Sequence, residues 1–516
     1  MKKVLAGGAV AVAVAAIVGT VGAAGGPPPF LTFPILLHVG EDGLDHGHFV
    51  FSEEAAIPTP LAKDFGSTEY APAASTGLSG LAPTPANVNV SLSLDSYEGE
   101  TGATGAASAG SGVVAGSNHI YPGNCNAAAP TGTFGDCAPL ANASTDGVFF
   151  TKTAMPRTWN GVTFGIGFDP AVDVDKNGTF YYSYGVAPLS GNYPNAIVIA
   201  SSPDGSTWTK QTPVTFNTNR NFDDKYYLAI DRSNTAFANR LYVSWDRNQG
   251  NNQILYIAYS SNGGSSWSAP IKVNDGRTKF ERVIGAYPAV NHTTGVVYDS
   301  WHDYARNIIY VDKSSDGGVS WGTDVAAATT HAGFGTDIGC VGGRAQGPAH
   351  ALKVGPSGAL YLVYADPVTG GQNTRKFDIL LTQSTDGGAH WSPPVVLNDD
   401  TGSSDQFHPT LSVESNGSGG DTITVTFYDR RDDPNNCLAH VYATQSTNSG
   451  ATWSRNVRQT DAQSDFTGNA NGPGDYSSST PALTGVFPFF SDHRTFNVSQ
   501  ETGNAGGFEI YTLKVQ

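Results

Sequence analysis

The chain has 516 residues, of which 62 are glycine and 30 are proline, and it has few long runs of Leu, Ala, Glu and Lys. This composition argues against a helical protein and favours short strands joined by many turns. The net charge of −17 at pH 7 argues against nucleic acid or an anionic membrane as a partner, although it also suits an ordinary soluble protein.

The first 24 residues have the pattern of an export signal. Lys2 and Lys3 give a basic start, residues 4–21 are apolar or small, and Gly22–Ala24 offers the small residues that a signal peptidase accepts. A retained membrane anchor is the alternative, but about 18 residues rich in Ala and Gly are marginal for a membrane span. We therefore predict a signal peptide at 1–24 that is removed near Ala24. The mature protein is then secreted and has no membrane attachment.

Residues 25–85 differ from the rest of the chain and predict an N-terminal extension or linker. They include Gly25–Pro29 and a stretch, Ala71–Pro85, that is rich in Pro, Ala, Ser and Thr. The next segment, Asn87–Leu94, alternates apolar and polar residues with the period of a strand.

The four cysteines are Cys125, Cys137, Cys340 and Cys437. An exported chain can oxidise them, and two disulfides are possible. Cys125 and Cys137 are predicted to form a disulfide that closes the loop between them. Cys340 and Cys437 would then pair over a long range of sequence. The chain has no CxxC motif and no His/Cys cluster that would indicate zinc.

Six segments share one short motif, which we call the repeated turn. The motif starts with Ser, has Asp or Asn two residues later, continues with small residues and ends on an aromatic residue. Its copies are Ser144–Phe150, Ser202–Trp208, Ser260–Trp267, Ser314–Trp321, Ser384–Trp391 and Ser446–Trp453. Asp or Asn accepts hydrogen bonds from turn amides and Gly takes a positive φ, so the motif predicts a tight hairpin turn. The closing aromatic side chain is predicted to pack between neighbouring sheets.

The spacing of the repeated turns predicts the architecture. Their closing aromatic residues are 54 to 70 residues apart, which is enough for a four-stranded sheet with loops. An apolar strand precedes each turn, and a seventh such strand, Val486–Asp492, follows the last one. We therefore predict that residues 86–516 form an all-β, seven-bladed β-propeller, with six blades as the alternative. The strand at Asn87–Leu94 is predicted to complete the last blade and close the ring.

One further motif, Asp173–Gly178, resembles the start of a calcium-binding loop. A complete loop also needs a Glu six residues after the Gly, and that position is Tyr184. Asn-Gly between two strands is typical of a hairpin turn. We therefore predict a turn here and no cofactor; calcium is possible but not indicated.

The repeated turns resemble the Asp-box, or BNR, repeats of bacterial sialidases. The resemblance covers roughly residues 86–516, and it implies a propeller blade rather than a particular activity, because Asp-box propellers also occur in lyases, receptors and assembly factors. In that family the boxes lie away from the active site, which implies a structural role for them here. Sialidases bind the substrate carboxylate with three arginines, the first in a Phe/Tyr-Arg-Ile-Pro motif that this chain lacks.

Polar residues recur at the end of the predicted propeller that lies opposite the repeated turns. The loops after the second strands pair acids with arginines, and the loops that link the blades add further polar groups. The predicted substrate-binding residues are Arg247, Arg282, Arg306, Arg430, Arg431, Arg494, His350, His408, Asp475 and Asp492. Because arginine binds a carboxylate in a bidentate way, this end is predicted to hold an acidic sugar. Salt bridges between blades are the alternative explanation for each acid–arginine pair.

Four residues are predicted to be catalytic. Tyr476 and Glu281 are similar to the sialidase tyrosine nucleophile and its glutamate, and Asp303 or Asp429 would act as the proton donor. Alternatively, the two histidines of the binding set would be the bases of a lyase and Tyr476 its acid.

Three functions follow from these residues. The first is a secreted, sialidase-like glycoside hydrolase that acts on acidic or decorated glycans. The alternatives are a non-catalytic propeller that binds glycan or protein, and a polysaccharide lyase that acts on a uronate. In each case the expected partner is a glycan or glycoconjugate, and the protein is expected to be a monomer.

Overall fold

A computed structural model describes residues 71–72, 90–91, 103–108, 112–117, 138–147, 149–188, 193–249, 252–276, 281–332, 338–340, 350–367, 376–467, 473–482, 485–492 and 509–515. All of them belong to one compact unit, Phe33–Gln516. The predicted signal peptide, most of the predicted extension, and Cys125 and Cys137 lie outside the described residues. A helix long and apolar enough to cross a membrane is not found in the described part of the chain.

Every regular element of the described residues is a β-strand, which confirms the all-β prediction. The strands are, in chain order, β1 (Ala71–Pro72), β2 (Val90–Ser91), β3 (Ala103–Ser108), β4 (Gly112–Ser117), β5 (Leu140–Ser144), β6 (Thr151–Ala154), β7 (Thr158–Trp159), β8 (Val162–Thr163), β9 (Ile166–Val174), β10 (Phe180–Ala187), β11 (Asn195–Ser202), β12 (Thr209–Lys210), β13 (Thr215–Asn217), β14 (Phe222–Ile230), β15 (Leu241–Gln249), β16 (Asn252–Ser260), β17 (Ile271–Lys272), β18 (Val283–Val290), β19 (Val297–Asp303), β20 (Ile308–Ser314), β21 (Val325–Thr329), β22 (His350–Val354), β23 (Leu360–Pro367), β24 (Phe377–Ser384), β25 (Val395–Val396), β26 (Gln406–Ser415), β27 (Asp421–Asp429), β28 (His440–Ser446), β29 (Val457–Arg458), β30 (Ser478–Ala482), β31 (Gly485–Asp492) and β32 (Glu509–Thr512).

Thirty of the described strands form seven sheets of four or five strands, which we number in chain order, and β7 pairs with β8 in a separate hairpin. Sheet 1 contains β3–β6, sheet 2 β9–β13, sheet 3 β14–β17, sheet 4 β18–β21, sheet 5 β22–β25 with β1, sheet 6 β26–β29, and sheet 7 β30–β32 with β2. The first strand of each sheet contacts the first strand of the next, and β30 of sheet 7 returns to contact β3 of sheet 1. This closed ring of sheets is a β-propeller, as predicted from the repeats.

Two short strands near the N-terminus join sheets formed much later in the chain. β2 pairs with β32, with Val90 opposite Thr512, so the segment Asn87–Leu94 contributes the outer strand of sheet 7 as predicted. β1 pairs in parallel with β25, with Ala71 opposite Val395. Part of the predicted extension is therefore built into sheet 5, which the Pro/Ala-rich sequence did not indicate because two residues are too few to show an alternating pattern.

Each repeated turn connects the third and fourth strands of its sheet. In Ser384–Trp391 the Ser384 hydroxyl donates to Asp386 Oδ1 at 2.9 Å and accepts the buried Gly388 N–H at 2.9 Å. Asp386 Oδ1 also accepts the His390 N–H at 3.0 Å, and Gly388 has a φ of 85°. Hydrogen bonds from the His390 backbone and side chain hold the pKa of the Asp386 carboxyl below its usual range. The side chains predicted to build the turn therefore do so.

The segment Asp173–Gly178 is a hairpin turn between β9 and β10, as predicted. Asp175 Oδ1 accepts the N–H groups of Asn177 and Thr179, both at 2.9 Å. The described residues contain no group of three or more His, Cys, Asp or Glu side chains that could hold a metal ion.

Candidate active site at the centre of the ring

The first strands of four sheets carry a β-bulge near their beginning. The register shifts occur around Asp169 in β9, Lys225 in β14, Gly285 in β18 and His408 in β26. All four residues have positive φ, at 54°, 44°, 77° and 53° respectively. Because strands run antiparallel within each sheet, the beginnings of the first strands lie at the end of the ring opposite the repeated turns. The bulges therefore redirect side chains at the predicted ligand-binding end.

Glycine is the residue expected at positive φ, yet three of these four bulges carry a larger polar residue. Asp169, Lys225 and His408 each have a Cβ that makes this conformation unfavourable. Backbone strain of this kind persists where the surrounding structure enforces it, and it is concentrated at functional sites. The strained residues thus favour a functional site at this end of the ring.

A cavity lies where the first strands of sheets 3 to 7 begin. It is lined by Lys225, Tyr227, Gly285, Tyr287, His350, His408, Pro409, Asp475, Tyr476 and Ser477. Its volume is about 20 Å³, which is room for about one water molecule. Four of the predicted site residues meet here: His350, His408, Asp475 and Tyr476.

One ion pair crosses the ring at this cavity. The Lys225 ammonium of sheet 3 donates to Asp475 Oδ2, which belongs to the segment that enters sheet 7. The two side chains are only 8% and 4% exposed. Sheets 1 and 2 lie between sheets 7 and 3 in ring order, so this contact joins two sheets that are not neighbours.

Aromatic rings stack beside the ion pair. The ring centroid of Tyr227 lies 4.9 Å from that of Tyr476 and 4.5 Å from that of Tyr287, and Tyr287 lies 6.2 Å from His350. Burial raises the pKa of both Tyr227 and Tyr476 well above the ordinary value, and the charge of Asp169 raises both further. These phenols therefore stay protonated, which suits a proton donor and opposes a phenolate nucleophile.

His408 is the group in this cavity best suited to act as a base. Burial lowers its pKa to about 4, against the opposing charge of Asp475, so the ring is neutral near pH 7. Nδ1 lies 3.1 Å from the Ser477 hydroxyl. Nε2 is buried and has no hydrogen-bond partner in the part of the chain that the structure describes. In the tautomer that donates Nδ1–H to Ser477, the Nε2 lone pair would be the one to accept a proton.

His350 lies at the opposite side of the aromatic stack. Its Nε2 is 3.1 Å from the Ser300 hydroxyl. The bulge beside it is supported by Asp299, whose carboxyl accepts the Tyr287 N–H at 3.1 Å and the Ser244 hydroxyl. Burial raises the pKa of Asp299 to about 8, so this carboxyl is largely protonated at neutral pH.

The other three residues predicted to be catalytic lie apart from the cavity lining. Glu281 contacts Lys272 Nζ at 2.9 Å and Asn274 Nδ2 at 3.1 Å. Asp303 pairs with Arg306, and Asp429 accepts Arg431 Nε at 2.9 Å. Desolvation raises the pKa of both aspartates, although the arginines oppose this effect. Glu281 and Tyr476 are therefore not arranged as the tyrosine–glutamate pair of the sialidase prediction.

Four of the five described arginines of the predicted binding set, Arg247, Arg306, Arg430 and Arg431, are bonded to carboxylates. Arg247 makes a bidentate contact with Asp223, Nε–Oδ1 at 2.5 Å and Nη2–Oδ2 at 2.8 Å. Arg431 bridges Asp429 of sheet 6 and Asp399, which lies in the segment between sheets 5 and 6. These contacts fit the salt-bridge explanation, although Asp223 and Arg247 face each other within one sheet.

Arg430 has a structural role that the sequence did not indicate. It is fully buried, contacts Asp405 Oδ2 at 3.3 Å, and donates to the carbonyls of Ile338 at 3.2 Å and Gly339 at 2.9 Å. The next residue, Cys340, forms the predicted disulfide with Cys437. Arg430 and this disulfide together fix the connection between sheets 4 and 5 onto sheet 6.

Three residues of the predicted set remain. The Asp492 carboxylate accepts the Ser464 hydroxyl at 2.6 Å. Arg282 is half-buried at the start of sheet 4, where its carbonyl accepts the Tyr304 N–H at 3.0 Å. Arg494 lies outside the described residues.

Sequence reasoning missed Lys225, Tyr227 and Tyr287 as cavity residues. Each lies in or next to a bulge, and a bulge inserts residues that break the strand period on which the pattern analysis depended. Aligning the beginnings of the first strands with one another would have shown that the same position varies between Asp, Lys, Gly and His. Variation of the residue type at one position of otherwise similar repeats would have indicated that this position belongs to a site.

Comparisons with known proteins find fold-level similarity only. No family model and no curated protein matches the chain. Similar solved structures include a protein of unknown function from Dyadobacter fermentans, with 15% identity over 71% of this chain and 99% of that one and a TM-score of 0.42. The intramolecular trans-sialidase of Ruminococcus gnavus is 13% identical over 84% and 98%, with a TM-score of 0.42. An ulvan lyase is 12% identical over 87% and 96%, with a TM-score of 0.43. Likeness at this level does not transfer an activity to this chain.

Proposed function

We propose that this protein is a glycan-active propeller that cleaves an acidic polysaccharide by elimination, with His408 as the base and Tyr476 as the acid. The observation that carries the proposal is the pairing, in one cavity, of a neutral histidine whose buried Nε2 has no hydrogen-bond partner among the described residues and a phenol that stays protonated. General acid–base chemistry needs one group of each kind.

The elimination step balances with these two groups. His408 Nε2 takes the proton from the uronate carbon next to the carboxylate, the bond from the neighbouring carbon to the glycosidic oxygen breaks, and a carbon–carbon double bond forms between the two carbons. Tyr476 gives its proton to the leaving oxygen. Solvent then returns a proton to the phenolate and removes one from the imidazolium, which restores both side chains.

Sialidase-type hydrolysis remains a prediction, with less support from the geometry than elimination has. It requires arginines free to hold a carboxylate and a tyrosine activated by a glutamate. The guanidinium groups of Arg247 and Arg431 are bonded to aspartates, and Glu281 is bonded to Lys272.

We also propose that the protein is exported, as its first 24 residues predict. The Cys340–Cys437 disulfide supports this proposal, because such bonds persist in oxidising compartments. Residues 25–70 and 73–85 are proposed to act as a linker, and the propeller to work as a monomer.

The proposal is tested by incubating the protein with a panel of uronate-containing polysaccharides and following the ultraviolet absorbance of the unsaturated product. His408→Gln and Tyr476→Phe are each expected to lower the rate by about 100-fold or more. His390→Gln and Tyr193→Phe are matched controls, because both side chains are exposed and outside the cavity. Thermal unfolding of each variant shows that it is folded.

Two results would overturn the elimination proposal. Release of the fluorophore from a fluorogenic sialoside without any unsaturated product would favour hydrolysis. Retention on a glycan array with neither reaction would favour a non-catalytic, glycan-binding propeller.

A further inference from the structure

We infer that Asp475 occupies the place of the ligand's carboxylate: an acidic sugar binds by replacing Asp475 on the Lys225 ammonium. The inference rests on the proposed function, and it names the contact that selects a uronate over a neutral sugar. Lys225 then becomes the specificity-determining residue of the cavity, and Asp475 its internal competitor.

The first argument is that the ion pair has little structural purpose. Neighbouring sheets are already joined along their first strands, and this contact joins sheets 3 and 7, which are not neighbours. Desolvating two charges offsets most of their attraction, so a buried ion pair is weak support for stability. A buried pair that lines a cavity therefore calls for another explanation.

The second argument is the backbone of Lys225. Its φ is 44°, whereas the bulge of sheet 4 has Gly285 and the segment that enters sheet 7 has Gly474 at 82°. Arg247, which makes a comparable buried contact with Asp223, lies at a regular register position in β15 and has no positive φ. The strain at Lys225 thus accompanies the bulge at the start of the strand, as it does at Asp169 and His408, rather than burial of a cation.

The third argument is size. The cavity has room for about one water molecule, so a ligand carboxylate can enter only by taking the place of the Asp475 carboxylate. A carboxylate that enters meets Lys225 as the cation and the phenols of Tyr227 and Tyr476, which burial keeps protonated. The carbon that carries the carboxylate then lies at the rim of the cavity, whose lining includes His408, the proposed base.

Asp475→Asn tests the inference, because it removes the competing charge and keeps the side-chain shape. The probes are galacturonate and its uncharged counterpart galactose, measured by calorimetry and by thermal shift. We expect galacturonate to bind Asp475→Asn at least about 10-fold more tightly than wild type, with no gain for galactose. A monosaccharide has no glycosidic leaving group, so this result does not depend on elimination activity.

Two further variants make the test decisive. Lys225→Met combined with Asp475→Asn removes both charges and should abolish the preference for galacturonate. Asp223→Asn at the Arg247 pair is the matched control and should leave binding unchanged. If Asp475→Asn is unstable, galacturonate but not galactose should restore its unfolding temperature. Unchanged or weaker galacturonate binding by Asp475→Asn, or instability that galacturonate does not rescue, would overturn the inference.

Discussion

Two histidines of this protein show how position alone moves a side chain's pKa in opposite directions. Burial lowers the pKa of His408 to about 4. The Nδ1 atom of His331 lies 2.8 Å from Asp366 Oδ2, and this hydrogen bond raises the pKa of His331. The first ring is therefore neutral near pH 7, whereas the second is held towards its charged form as an anchor for the segment that follows sheet 4.

We predict that the two rings titrate on opposite sides of the ordinary histidine value of about 6.5. In a proton NMR titration, His408 should remain neutral until the pH falls towards about 4, and His331 should protonate above the ordinary value. Each signal is assigned by its disappearance from the spectrum of one variant: the His408 signal from His408→Gln and the His331 signal from His331→Gln. Titration of His408 near the ordinary value would remove the basis for treating it as a buried neutral base.

Asp299 carries a prediction about stability. Its folded pKa is raised to about 8 by burial, whereas an unfolded aspartate titrates near about 3.9. Between these values the folded state holds a proton that the unfolded state has lost, so the free energy of unfolding falls as the pH rises through this window and levels off above about 8.

Asp299→Asn should remove that slope, because Asn keeps an acceptor for the Tyr287 N–H and can donate an amide N–H to the Ser244 hydroxyl, but it cannot ionise. The midpoint of urea unfolding should fall less between about pH 5 and about pH 9 in the variant than in wild type. Asp204→Asn, at an exposed carboxylate of a repeated turn, is the control and should keep the wild-type slope in this window. Equal slopes in Asp299→Asn and wild type would contradict the raised pKa.

At the scale of single elements, the repeated turns depend on one buried hydroxyl each. Ser384 is almost fully buried, and its oxygen is the acceptor for the Gly388 N–H at 2.9 Å. Ser384→Ala leaves that buried donor without a partner, which costs about 1–3 kcal/mol. The loss should appear as a lower free energy of unfolding by urea. Ser403→Ala, at an exposed position, should change stability by less than about 0.5 kcal/mol.

The turns and the bulges differ in how far they could be predicted. A repeated turn is local: its Ser, Asp or Asn, Gly and aromatic residues lie within eight positions, and the hydrogen bonds stay inside them. A bulge depends on the register of two strands, so nothing in the sequence around Lys225 shows that it faces Asp475, 250 residues away. The partners of the arginines could not be predicted for the same reason. The sequence does not show whether an arginine side chain contacts a ligand or an aspartate of another segment.

At the scale of the whole molecule, the ring closes by a strand taken from the start of the domain. The alternating pattern of Asn87–Leu94 ahead of the first blade predicted this, and β2 pairs with β32. Closure was predictable because it follows from counting strands, whereas the cavity depends on side chains from five sheets meeting at one point.

Two truncations separate the role of β2 from that of the preceding residues. Removing residues 1–85 deletes β1, which adds two residues to sheet 5, and should lower the unfolding temperature only slightly. Removing residues 1–95 also deletes β2, so β32 becomes an unpaired edge whose N–H and C=O groups can pair with another chain. This variant should unfold several degrees lower, and light scattering should show concentration-dependent association. Because both truncations lack the same N-terminal segment, any difference between them belongs to residues 86–95, and equal behaviour would mean that the ring does not depend on β2 for its closure.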